Sequence, residues 1–159
     1  MDRRLGVAGL ALIALLTIGA CSDSVTKKGL AQRDDIIAAA NSVCAQNTAF
    51  VKAHVTAFKA RFGTSTIPAD QARDFLVNTV SPDAQTVAAG MHGLPNPEKD
   101  TQKWRDALAQ LDKQLHDFLY QIDQDSIGLA KSIGNADPTK GTAAGQLFVA
   151  FGAKDCSTL

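Results

Sequence analysis

Apolar residues recur at steps of three and four along most of this chain, which is the spacing of an amphipathic helix. From about Leu30 to Phe62 they fall at Ile37, Ala40, Cys44, Val51, Val55, Phe58 and Phe62. Asn47 lies inside that stripe and predicts a buried amide bonded to a neighbouring helix. Gly63 ends the helix. A second stripe follows Pro68 through Leu76, Val80, Ala84, Val87, Met91 and Leu94. Pro82 falls inside it, behind Ser81, so either Ser81 caps a fresh helix or the helix kinks there. The unbroken register favours a kink or a tight break with little change of direction.

Pro95, Asn96 and Pro97 form the clearest boundary, with Asn96 as an N-cap and Pro97 as the first helical residue. The third helix is expected to run to about Ile133 on Trp104, Leu108, Leu111, Leu115, Phe118, Leu119, Ile122, Leu129 and Ile133, with Ser126 filling a gap. Gly134 and Asn135 stop it. Asp137 and Pro138 repeat the cap-then-proline start, and a short fourth helix carries Ala144, Leu147, Phe148 and Phe151. No stretch alternates as a strand would. Four helices on short connections predict an all-α, antiparallel four-helix bundle.

The N-terminus is of another kind. Arg3 and Arg4 precede an apolar run from Leu5 to Ile18, which has the length and flanks of a signal peptide. It is short for a bilayer span, which takes about 20 residues. This divides the chain into a signal segment at 1–20, a polar tether at 21–28 and a helical domain at 29–159. Ile18, Gly19, Ala20 and Cys21 resemble a bacterial lipobox: a branched residue, two small ones, then cysteine. The resemblance implies that Cys21 becomes a lipid-modified N-terminus, anchored to a cell membrane and facing outward. Two or more acyl chains give stable anchoring where one is marginal. The alternative is an ordinary secreted protein cleaved nearby.

Charge removes one class of partner. The 159 residues carry 16 Lys and Arg against 16 Asp and Glu, and loss of 1–20 leaves 14 bases against 15 acids. That balance gives a nucleic-acid binder no support. Glu98 is the only glutamate, so chemistry built on clustered Glu, such as a di-iron bundle, is nearly excluded.

If Cys21 carries lipid, Cys44 and Cys156 remain. An even pair in an exported domain predicts one disulfide, and two free thiols are the alternative. Candidate chemistry is otherwise thin. His54, His92 and His116 are far apart in sequence and read as surface or boundary residues, with no metal site or cofactor expected. Asp112, His116 and Tyr120 share one helix face but lack a nucleophile and an oxyanion hole. Phe62, Met91 and Trp104 are the candidates to line a small interhelical pocket.

The lipobox, the Asp- and Ala-rich mature chain, a cysteine in the first helix and the Phe151-Gly152-x-x-x-Cys156 ending are similar to small helical lipoproteins of actinobacteria. The resemblance implies a closure of the last cysteine onto the first helix, and it brings no catalytic residues. The expected function is a non-enzymatic binding or interaction module of the cell envelope, held to the membrane by its N-terminal lipid. Its partner would be an envelope protein or a small apolar ligand. The alternative is a carrier of a small apolar ligand or lipid in an interhelical pocket.

Overall fold

The computed structural model describes residues 31–63, 66–137 and 139–159. The signal segment, the tether and Cys21 lie outside them. The described chain is all-α: five helices and one disulfide, Cys44–Cys156.

Helix α1 spans Arg33–Phe62, with Asp34 and Asp35 in its first turn and Lys59 and Arg61 in its last, both favourable to the helix dipole. Gly63 closes it at a φ of 56° and donates its N–H to the Lys59 carbonyl at 2.9 Å. Helix α2 covers 69–92 in three runs: Ala69–Phe75, a π-helical Leu76–Val80, and Ser81–His92. Pro82 has no N–H to give to the carbonyl four residues back, and its ring crowds that carbonyl. The backbone widens by one residue just before it, and the Ser81 N–H reaches Leu76 instead. Ser81 is therefore not a cap. Its hydroxyl accepts from Gln85 Nε2 at 3.1 Å.

Three expected boundaries move. Helix α3 begins at Thr101 and not at Pro97. Segment 96–98 is taken up in a clasp with Ala31, whose N–H donates to the Asn96 carbonyl at 3.2 Å and whose carbonyl accepts from Glu98 N–H at 3.1 Å. Helix α3 then ends at Gln124, and α4 spans Ser126–Gly134. Asp125 breaks what was expected to be one helix, because its carboxylate caps the new start by accepting from Gly128 N–H at 2.8 Å. The bundle has five helices for this reason, and not four. Asp137 likewise makes a turn with Thr139. Helix α5 starts later, at Ala143–Phe151, capped by Thr142.

The apolar side chains form two separate cores. One gathers Ile36, Ala40 and Cys44 of α1, Val87 and Met91 of α2, Trp104 and Leu111 of α3, Phe148 and Phe151 of α5, and the C-terminal Cys156 and Leu159. Trp104 is wholly buried and meets Phe148 at a centroid distance of 5.3 Å and Phe151 at 5.1 Å. The other core gathers Phe58 and Phe62 of α1, Phe75, Leu76 and Val80 of α2, Ile122 of α3 and Ala130 of α4. Its three phenylalanines pack at 5.2 to 6.0 Å. Helices α1, α2 and α3 run through both.

The C-terminal tail is pinned over the first core. Besides the disulfide, Asn47 Nδ2 donates to the Thr158 carbonyl at 3.1 Å, and Asn41 Oδ1 accepts from Asp155 N–H at 3.1 Å. The expected buried amide is thus a tie to the tail and not to another helix. Gly145 makes the approach possible, since a Cβ there would strike the carbonyl oxygens of Cys156 and Ser157.

Candidate functional site

Between the two cores the helices do not close. The buried positions of α1 run Ile36, Ala40, Cys44 and then His54, Phe58, Phe62. The residues that fall between them on the same face, Asn47, Phe50 and Val51, are only half-buried. A cavity of about 210 Å³ sits there. Helix α1 contributes Asn47, Phe50, Val51 and His54; Val80, Asp83 and Ala84 come from α2, Phe118 from α3, and Ile133 from α4. A second hollow of about 140 Å³ adjoins it across Asn47, Ala84 and Phe118 and reaches Leu115 and Leu159. A wider, open depression of about 630 Å³ lies on the other side of Val51 and Ala136, bordered by Ser132 and Lys140. Together they form a seam across the waist of the molecule.

The seam holds one polar pair deep in an apolar wall. His54 Nε2 lies 2.8 Å from Asp83 Oδ2. The imidazole side chain is 8% exposed and the carboxylate 32%. Phe50 stacks beside the imidazole with the rings inclined by 16°. Asp83 stands directly after the π-helical step, so the widened turn sets which side chains α2 turns to the seam. Such turns occur often at functional sites.

His54, expected at the surface or a boundary, is buried. The series 44, 47, 51, 54, 58, 62 keeps helical steps and points to His54, with the apolar Val55 as the competing position. The other histidines lie outside the seam. His92 meets Asp112 at 2.6 Å in an exposed pair, and His116 is 3.7 Å from Asp117. Asp112 is therefore directed to α2, and Tyr120 is exposed, so the helix-face series of Asp112, His116 and Tyr120 does not converge.

Of the three pocket candidates, Met91 and Trp104 share the first core and Phe62 belongs to the second. None of them lines the seam cavities. The Trp104 indole N–H is buried and finds no acceptor among the described residues. Cys44 and Cys156 are joined and buried at the floor of the first core. No group of three or more His, Cys, Asp or Glu converges among the described residues. No described helix is long and apolar enough to cross a membrane.

Four exposed aspartates have carboxyls held below their ordinary range by partners near them. The Arg61 hydrogen bond lowers Asp74, that of Lys103 lowers Asp100, that of Lys113 lowers Asp117, and that of Thr139 lowers Asp137. Asp74, Asp100 and Asp117 lie outside the seam, and Asp137 borders its wide depression; their bonds stabilise turns and helix surfaces.

Comparison with protein-family models, with curated proteins and with solved structures finds no match to this chain.

Proposed function

We propose that the protein is a non-enzymatic binding module of the cell envelope, tethered outside the membrane by lipid on Cys21, and that the seam is its binding surface. One observation carries this reading. Phe50, Val51, Ala84, Leu115, Phe118 and Ile133 remain half-buried around a cavity, while the neighbouring apolar side chains are packed away in two cores. Half-covered apolar surface in a concave site favours a bound partner, because covering it removes that surface from water. The polar groups of the wall support binding over turnover. His54 is engaged by Asp83 and Asn47 by the tail, and no hydroxyl or thiol nucleophile stands beside the imidazole in the cavity lining.

The inner cavity favours a second reading, a carrier of a small apolar ligand. At about 210 Å³ it is smaller than the roughly 300 Å³ of ordinary drug-sized pockets, so the cargo would be small.

The experiment is capture of the native protein from intact envelope, followed by mass spectrometry of proteins and small molecules. Capture should use an antibody to an exposed helix face, because Leu159 is buried and a tag there would disturb the tail. The expected result is a species recovered with wild type and lost with a Val51→Trp variant that plugs the seam. Identical recovery with both forms would overturn the seam as the binding surface. The intact mass of the same material reads acylation of Cys21 directly.

A further inference from the structure

We infer that the inner seam cavity is a site for a small organic cation with an apolar body, such as a protonated amine or a quaternary ammonium. The inference rests on the seam being the binding surface and names its ligand class.

Three observations set the class. Among the described residues, Asp83 is the only acid in the lining of the inner cavity, and no Lys or Arg shares that lining. Its Oδ2 faces His54, and its side chain remains about one-third exposed. A carboxylate in an apolar hollow attracts a cation more strongly than one in open water, because the surroundings screen it less. Next, Phe50 and Phe118 both contribute to the wall. Aromatic rings receive alkylammonium groups on their faces and cover their methyls with apolar surface. The remaining wall, Val51, Val80 and Ile133, would desolvate the rest of the ligand. Last, about 210 Å³ limits the ligand to a compact body.

The pair at the base fits this role. His54 is more than nine-tenths buried and holds Asp83 by a 2.8 Å contact. It fixes one carboxylate oxygen and so leaves the other to the ligand. His54 is a positioning residue, and Asp83 and the two rings are the groups that would touch the cation. An anionic ligand would meet Asp83 head-on, and anything longer than a compact body would have to extend into the adjoining hollows.

The test is a titration of the chain from residue 22 onward, followed by backbone amide NMR. Both cores and the disulfide lie within 31–159, so that piece holds everything the seam is built from. The probes are phenyltrimethylammonium and its uncharged isostere tert-butylbenzene. The cation is expected to shift amides of 47–54, 80–84 and 118, and to bind at least about tenfold more tightly than the isostere. Asp83→Asn should weaken the cation by about tenfold or more and leave tert-butylbenzene within about twofold. Because Asp83→Asn could loosen the fold, Phe118→Leu provides a second readout, weakening the cation several-fold with the carboxylate intact. Equal binding of both probes would overturn the ligand class and leave the seam as a binding surface. Absence of any seam shift with the cation would also overturn it. Failure of the seam itself is read separately, by Val51→Trp in the envelope capture.

Discussion

His54 Nε2 lies 2.8 Å from Asp83 Oδ2 and so ties the middle of α1 to the turn of α2 that follows its π-helical step. The two partners are unequal. The imidazole is nearly out of water and the carboxylate is partly in it. Removing the carboxylate therefore strands a buried ring nitrogen, whereas removing the ring leaves a carboxylate that water can still reach. Asp83→Ala is expected to cost about 1–3 kcal/mol, the range for an unsatisfied buried polar group. His54→Phe should cost less, since it keeps the apolar bulk next to Phe50. In urea titrations of both single variants and the double, the losses should be less than additive, with a coupling of about 0.5–3 kcal/mol. Simple additivity would mean that the contact contributes nothing.

The disulfide closes 112 positions of chain and is the strongest tie between α1 and the tail. In the chain-entropy picture a loop of about 100 residues is worth up to about 4.7 kcal/mol, with measured native bridges nearer 2–5. Cys44→Ser with Cys156→Ser should lower the urea midpoint accordingly. It should also raise amide exchange first in 153–159 and α5, because hydrogen bonds such as those of Asn47, Asn41, Gln114 and Thr142 and the burial of Leu159 then hold that segment without a covalent tie. If the tail exchanges no faster than α3, the bridge is not its main restraint.

Much of this architecture is legible in residue spacing. The stripes on α1 and α3 place the helices, and the expected pairing of Cys44 with Cys156 is present. The failures share one cause: short polar residues near Pro or Gly can cap a helix or form a turn without one. Asp125 with Gly128 starts a helix inside an apparently continuous stripe, while Asn96 joins the clasp with Ala31 and Asp137 makes a turn with Thr139. Which outcome prevails depends on distant groups, such as Ala31 against Asn96, which local spacing does not reveal. The seam is harder still. It is a place where packing stops, and the pattern of Asn47, Val51 and His54 shows a helix face without showing that α2 and α3 stand off from it.

Acid should destabilise the fold in a predictable order. Asp74, Asp100, Asp117 and Asp137 have folded pKa values below their ordinary value. Each contributes stability that is fully present above the unfolded value of about 3.9 and is lost as pH falls through the lower folded value. The urea midpoint should thus be flat from pH 7 to about 5 with respect to these groups and decline from about pH 4 downward. Salt should separate them. Asp74 and Asp117 depend first on hydrogen bonds from charged Arg61 and Lys113, and in ~1 M salt, where the Debye length is about 3 Å, their exposed pairs are screened. Asp137 depends on the uncharged Thr139 hydroxyl and N–H, so Asp137→Asn should retain its effect in high salt, whereas Asp117→Asn, which loses the bond from charged Lys113, should lose most of its effect.

Two glycine substitutions should move stability in opposite directions. Gly90 lies in the last run of α2, and a Cβ there would meet the Val43 methyls at 3.4 Å, an ordinary contact. Gly90→Ala removes unfolded-state freedom at a helix-interior position and should stabilise by about 0.5–1 kcal/mol. Gly145 is also helical, but its Cβ would collide with backbone carbonyls of Cys156 and Ser157, which the disulfide holds in place. Gly145→Ala must therefore displace the tail or α5, and should cost about 1–3 kcal/mol as other overpacked sites do. A domain of this size shifts its midpoint temperature by about 2–4 °C per kcal/mol, so thermal unfolding followed by circular dichroism resolves both changes. The contrast carries a further check. If the collision with the tail is the cause, the Gly145→Ala penalty should shrink in the Cys44→Ser, Cys156→Ser background, where the tail can give way. An undiminished penalty there would place the strain within α5 itself.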